Sequence, residues 1–350
     1  MQPASGAGNS ARAVGFGFST LEKRPFAEKG VRPTQNVLTS AANEPGGTGS
    51  LGVLQDYLHR RMGVLAVRIE RRRDEACMPW AQLRLPPFPQ VAIRVLQLVS
   101  NENVQLHELG DLISSDAAFA SEVLTIANSL LYAPRFPASS ILQAIAVLGA
   151  NHLQGLCLTV AVRAYLGRSL NHPMMRLLWR HSLACALIAE QLASTGFMDK
   201  DAAYTSGVLH DIGRFALAVV KPKEYADLLA NHVGTPGSIL NGEQELLGWD
   251  HCAVGRHLVA DWKLPCELEA VVSDHHCPRL LDGFWGMGEL IKVSCRMADT
   301  AGFAAFPGCE VIAYPDLLEE IPERERRLFP SEVEALAHEV TDRIHAIESV

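Results

Sequence analysis

The sequence has no run of about 18 uncharged apolar residues, so no transmembrane helix is expected. Its N-terminus, MQPASGAGNSARAVGFGFST, lacks the apolar core of a secretory signal. The eight cysteines include no C-x-x-C pair, and without a signal peptide they read as reduced thiols rather than a disulfide framework. These absences predict a cytoplasmic protein. Positive charge is also short. Lys and Arg number 31 against 39 Asp and Glu, a formal net charge of -8, which argues against a surface that coats nucleic acid. No helix-turn-helix signature stands out, so direct contact with DNA ranks low. Period-2 alternation is absent between residues 81 and 170, which excludes a sheet there.

What is present is helical. The 350 residues suit one large domain or two modest ones, with 48% hydrophobic and 20% charged residues. Residues 1–50 are rich in Gly, Ser, Pro and Asn, and such a segment cannot bury enough apolar surface to fold, so a disordered tail is expected. Residues 51–80 read as a helix and linker carrying Leu54, Leu58 and Leu65. The basic run Arg68–Arg73 reads as its solvated end.

A compact bundle of short helices is expected over 81–170. Pro86, Pro87 and Pro89 set its extended entry. Ala92, Val95, Leu96 and Val99 form one helical face, and Leu109, Leu112 and Ile113 the next. Ser115-Asp116 should cap a helix with Phe119, Val123, Ile126 and Leu130 on one stripe; Ser140 should cap another that stops at Gly149. A further helix carries Leu153, Leu156, Cys157 and Val160. Asn171–Met174 is the expected seam before a second helical group, 171–278. A helical extension, 279–350, is loop-like just beyond Ala304 (FPGCEVIAYPD) and should end in a helix from Pro330 capped by Ser331-Glu332, with Val333, Leu336, Val340 and Ile344 as its apolar face.

In the second group, histidines fall on apolar stripes. His181 shares a face with Ala184, Cys185 and Ile188. A helix from Ala202 would put His210 on the face of Ala203 and Gly207, with Asp211 next. A helix from Leu246 would align His251 with Leu247, Val254 and Leu258. His275 continues the stripe of Leu268 and Val271, and Asp299 that of Ile291 and Cys295. One such histidine is ordinarily a core residue bonded to a carbonyl. Several inward histidines with two inward aspartates suit Fe, Zn or Mn, with a carboxylate able to bridge two ions. Cys252 and Cys277 neighbour these candidates and read as packed side chains.

Many short motifs stand in order: LPPFPQ (Leu85–Gln90), Ser115-Asp116, ANS (Ala127–Ser129), AIAVLG (Ala144–Gly149), WRHS (Trp179–Ser182), GVLHDIG (Gly207–Gly213), DHCAVG (Asp250–Gly255), WKLP (Trp262–Pro265) and His275-His276. In this the chain resembles an HDOD domain over roughly Ala81 to Pro278. The resemblance implies an all-α, HD-like bundle and a regulatory module of bacterial signal transduction, without catalysis. It would act through protein partners and through a pocket for a metal or nucleotide. By resemblance to the HD superfamily, the metal ligands would be His181, His210, Asp211 and Asp299, joined by His251, His275 and His276 as in the HD-GYP phosphodiesterases. Arg214 stands where those enzymes have Lys, and CPRLLDGFWG after His276 lacks their Gly-Tyr-Pro. The alternative is a metal-dependent phosphohydrolase acting on a nucleotide or cyclic dinucleotide, with Asp211 bridging the metals and Arg214 neutralising phosphate. Asp274–Cys277 also spells DHHC, but the transmembrane helices of palmitoyltransferases are missing.

Overall fold

A computed structural model describes residues 88–99, 105–129, 132, 134–195, 198–277 and 285–349. The tail and helix expected over 1–80, the N-terminal boundary near Ala81, and Leu130 lie outside the described residues. The protein is all-α, as the periodicity predicts; among the described residues the only sheet is a two-residue parallel bridge. No described helix is long and apolar enough to cross a membrane.

The first group comprises α1 (Gln90–Val99), α2 (Leu106–Ser114), α3 (Ala117–Ala127), α4 (Ile141–Leu148) and α5 (Ala150–Leu166). Local chemistry sets these boundaries. The Asp116 side chain accepts from the Phe119 N–H and starts α3, and Ser140 accepts from Gln143 to start α4. Gly149, at φ +87°, ends α4. Asn128 bonds Ala138 twice, donating to its carbonyl at 2.9 Å and accepting from its N–H at 2.7 Å. Phe88 stacks on Trp262 at 4.3 Å, which ties the LPPFPQ entry to the WKLP turn.

A 3₁₀ turn over Gly167–Asn171 and Pro173 at the first helical position separate α5 from the next helix. Then come α6 (Pro173–Ala193), α7 (Lys200–Leu209), α8 (Ile212–Val220), α9 (Pro222–Asn231), α10 (Ile239–Leu247), α11 (His251–Asp261), α12 (Cys266–Asp274) and α13 (Met287–Ala298). The α6 helix is the axis: α7, α13 and the last helix pack against it, and α5 lies on α7.

Two helices run differently from the sequence pattern. The helix expected to carry His210 through its interior stops at Leu209. His210 and Asp211 form the turn before α8, where His210 Nδ1 bonds the Gly207 carbonyl at 2.7 Å. That carbonyl is the acceptor a continuing helix would offer to the Asp211 N–H. The helix expected from Leu246 through His251 is two helices. Gly248 turns left-handed (φ +82°) and Asp250 caps a new start by accepting from Ala253 N–H. His251 is therefore the first residue of α11.

After α13 one turn of π-helix, Asp299–Phe303, carries the chain into β2 (Gly308–Cys309), which pairs with β1 (Val233–Gly234). Beyond Ala304 the loop-like stretch gives way at its last three residues to α14 (Tyr314–Glu320), and α15 (Glu323–Arg326) follows. The last helix, α16 (Val333–Glu348), buries Leu336, Val340 and Ile344 as its pattern predicts. Glu332 is its N-cap residue, but no side-chain capping bond forms there.

Backbone-to-backbone contact brings the site together. A Cβ on Gly207 would meet the Ala186 Cα at 2.4 Å, and one on Gly213 would meet the His251 carbonyl oxygen at 1.9 Å. Gly207→Ala should therefore force α7 off α6 and cost about 1–3 kcal/mol or more in urea unfolding. Gly288→Ala in α13, with nothing within 4 Å, should be neutral or stabilise by up to about 1 kcal/mol. Equal effects from the two substitutions would refute the close-approach account.

Candidate metal centre

Five stretches deliver polar side chains to one buried point. His181 comes from the middle of α6, His210 and Asp211 from the α7–α8 turn, and His251 from the start of α11. His275 and His276 follow α12, and Asp299 ends α13. His181, His210, Asp211, His251, His275 and Asp299 are all at most 4% exposed.

Asp211 is the hub. Its Oδ1 lies 3.3 Å from His251 Nε2 and 3.2 Å from His275 Nε2. Its Oδ2 lies 3.6 Å from His210 Nε2 and 3.7 Å from His181 Nε2. Arg214, one helical turn on, sets its Nε 2.8 Å from Oδ2. Burial opposes ionisation of Asp211. Arg214 and then the imidazoles around it outweigh burial and hold the carboxyl well below its usual range. Asp211, His251, His275 and His276 form one group whose ligating atoms lie within 4.8 Å of one another; His181, His210 and Cys295 form a second.

An outer layer fixes how each ring turns. The Nδ1 of His181 meets the Phe303 carbonyl at 2.8 Å, that of His210 meets the Gly207 carbonyl, and that of His275 meets the Val271 and Val272 carbonyls at 3.2 and 3.1 Å. The Nδ1 of His251 meets Glu243 Oε2 at 2.7 Å. An acceptor at Nδ1 assigns the ring proton there and leaves the Nε2 lone pair facing inward. Burial pushes His210 down to about 3 and also lowers His275 and His276. Burial acts against protonation of His181 too, but the Asp299 carboxylate beside it prevails and raises it.

The donor set fits a divalent cation. The His210 Nε2, fully buried, has no hydrogen-bond partner. The Nε2 atoms of His251 and His276 stand 3.1 Å apart, and two lone pairs cannot face each other there without a proton or a cation between. Neutral imidazoles and a carboxylate are ligands of Zn, Fe or Mn. His181, His210, Asp211, His251, His275 and His276 all present donors to such an ion. Asp299 stands differently: its Oδ1 meets His181 from the Nδ1 edge at 3.3 Å, outside both close groups.

Sequence reasoning missed Glu243, Tyr225 and Cys295. Glu243 is fully buried and accepts from Tyr225 Oη at 2.7 Å and from the His251 N–H at 2.8 Å. Its carboxyl is held low, against burial, by His251 and Arg214. Its place on the stripe of Ile239 and Leu240 was the available signal. Arg214 is 1% exposed and faces Asp211 and, at 3.4 Å, the Nε2 of His276. A cavity of about 360 Å³ reaches the centre, walled by His275, His276 and Asp299, with Lys292 and Arg296 alongside. The β1–β2 bridge pins the segments 235–237 and 310–312 that frame it.

Comparison with known proteins places this architecture. An HDOD protein of unknown function from Geobacter sulfurreducens has the same fold, with TM-score 0.58, 24% identity, and 76% of this chain and 92% of that one aligned. A protein from Marinobacter aquaeolei VT8, named for signal transduction, aligns with TM-score 0.58 and 24% identity over 77% of this chain and 60% of its own. One from Shewanella amazonensis SB2B, named for metal-dependent phosphohydrolase activity, aligns with TM-score 0.53 and 18% identity over 83% and 99%. At these identities the likeness is one of fold. An uncharacterised protein of Treponema pallidum is 24% identical over 196 residues, 55% of this chain and 37% of its own length. The sequence pattern of the HDOD domain matches residues 85–278, over half the chain and the whole span of the imidazole groups, and the chain belongs to the HDOD domain family.

Proposed function

We propose that this chain is a regulatory module of bacterial signal transduction that holds a divalent metal in its HD-like pocket and works through protein partners rather than by catalysis. The observation that carries the non-catalytic reading is Arg214. Its guanidinium is buried, lies 2.8 Å from Asp211 Oδ2, and is not among the residues lining the cavity. A two-metal hydrolase shares its bridging carboxylate between cations and presents a metal-bound water to substrate. Here a fixed side-chain cation takes part of that carboxylate's capacity, and no solvent-facing face of the guanidinium remains for a phosphate.

His181, His210, Asp211, His251, His275 and His276 would hold the metal, which would supply local positive charge and cross-link α6, the α7–α8 turn, α11 and the end of α12. The chain's own contribution is orientation. Glu243 and the backbone carbonyls fix the imidazole tautomers, and burial keeps most of the rings neutral and able to ligate.

The cavity favours a second reading, a phosphohydrolase acting on a nucleotide or cyclic dinucleotide. Lys292 and Arg296 line it together with His275 and His276, which suits a phosphate-bearing ligand. Lys292 donates to the Cys277 carbonyl at 2.6 Å and Arg296 pairs with Glu320 at 2.8 Å, so both cations are already engaged.

Two tests follow. Protein purified without chelator should contain Fe, Zn or Mn, and chelation should lower its Tm; metal at about a thousandfold over its Kd should restore about 4 kcal/mol. The same protein should leave cyclic di-GMP and nucleotides intact. Turnover at an enzyme-like rate, abolished by Asp211→Asn, would establish the second reading instead. The buried imidazoles also set a pH dependence. His210 titrates at about 3 when folded against 6.5 as its ordinary value, so between these the unfolded chain binds the extra proton. Stability of the chelated protein should fall as pH drops below 6.5, by up to about 1.4 kcal/mol per pH unit from this residue. His275 and His276 act in the same direction and His181 in the opposite one. Urea midpoints that rise on acidification from pH 6.5 to 5 would contradict this.

A further inference from the structure

Building on the metal-binding reading, we propose that Cys295 is a metal ligand. With His181, His210 and Asp211 Oδ2 it forms a sulfur-bearing half of the centre, chemically unlike the half made by His251, His275 and His276 on Oδ1.

The separations carry this. Cys295, 3% exposed on α13, places its Sγ 3.5 Å from His181 Nε2. The Asp211 Oδ2 is 3.7 Å from His181 Nε2 and 3.6 Å from His210 Nε2. Nitrogen, oxygen and sulfur ligands about 2.0–2.3 Å from a tetrahedral zinc lie roughly 3.3–3.8 Å from one another. All three separations fall in that range. The His210 Nε2, buried and without a hydrogen-bond partner, supplies the independent sign that a ligand belongs among these atoms. Cys185 provides the contrast. It is equally buried, but its Sγ meets only the Ile291 carbonyl, at 3.8 Å, as a packed thiol does.

Asp299 then takes a different part. Its Oδ1 lies 3.3 Å from the Nδ1 edge of His181, away from the point that Nε2 and Sγ share, and both its oxygens are buried without a hydrogen-bond partner. It stands outside this four-donor set, as it stands outside both close groups. The donor set becomes two imidazoles, one carboxylate oxygen and one thiolate, four ligands in all. A filled four-ligand set is the pattern of a structural zinc site, whereas catalytic sites keep a position open for water. The thiolate selects zinc over the harder Mg²⁺, Ca²⁺ and Mn²⁺. On coordination the thiol proton passes to the buffer and no redox step is involved.

The test is X-ray absorption at the zinc edge on the full chain loaded with Zn²⁺. The expected result is a sulfur shell at about 2.3 Å beside nitrogen and oxygen at about 2.0–2.2 Å. That shell should vanish in Cys295→Ser and persist in Cys185→Ser, Cys252→Ser, Cys277→Ser and Asp299→Asn. Persistence in serine variants of all seven other cysteines, Cys77, Cys157, Cys266 and Cys309 included, assigns the sulfur to Cys295 even where Cys295→Ser does not fold. Zinc bound by the native chain without any sulfur shell would overturn this inference and leave the metal-binding reading standing, as would a sulfur shell that survives Cys295→Ser. A native chain that retains no zinc, iron or manganese would remove both.

Discussion

A carboxylate stripped of water must be compensated where it stands, and Asp211 imposes that requirement on the whole second half of the chain. Isolated burial of such a charge costs many kcal/mol. Compensation comes from Arg214 at 2.8 Å and from four imidazole nitrogens within 3.7 Å, drawn from α6, the α7–α8 turn, α11 and the end of α12. No one of these segments could satisfy Asp211 alone. Their convergence requires backbones closer than side chains normally allow, and Gly207 and Gly213 supply that closeness. The short separations at the centre and the missing Cβ atoms at the helix crossings are one constraint seen at two radii.

The same constraint explains where helices stop. A residue inside a regular helix spends its backbone groups on its own turn. His210 and Asp211 occupy a turn, His251 a first helical position, His275 a helix end, and Asp299 the start of a π turn. Carbonyls near such ends have lost their helical donors, or as at Val271 keep one and accept a second bond, and so can orient rings. Gly207, Val271, Val272 and Phe303 each use a carbonyl in this way. The π turn has a use of its own, since it swings the Phe303 carbonyl onto His181 Nδ1. His251 is the exception: its Nδ1 partner is Glu243, whose own second oxygen is held by Tyr225.

Helix existence and buried faces were legible from sequence because they rest on local periodicity. Val95, Val123, Ile145, Leu156 and Val340 are buried where the 3.6-residue pattern puts them. The caps at Asp116 and Ser140 were legible for the same reason, since a cap is satisfied within three residues. What periodicity could not show was interruption. Stripes through His210 and His251 continue across the breaks at Leu209 and Gly248, because face alignment survives a turn that changes axis. Glu243 and Cys295 escaped for another reason. Each sits on an apolar stripe, and its chemistry depends on a partner eight or 114 residues away, which spacing along one helix does not encode.

Arg214 shows how a single side chain can set the surroundings of a shared carboxylate. A lysine at this place would offer a compact ammonium on a flexible stem, free to reach outward. Arginine instead extends a planar fork with several donors, here facing Asp211, Glu243 and His276 at 2.8, 3.7 and 3.4 Å. Such a cation holds the carboxylates in register whether or not a ligand enters the cavity, and it cannot follow a substrate. The two oxygens of Asp211 therefore face unlike surroundings, a guanidinium with His181 and His210 on one side and His251 with His275 on the other. A centre so divided fits the regulatory role proposed above, in which the site holds one arrangement of helices.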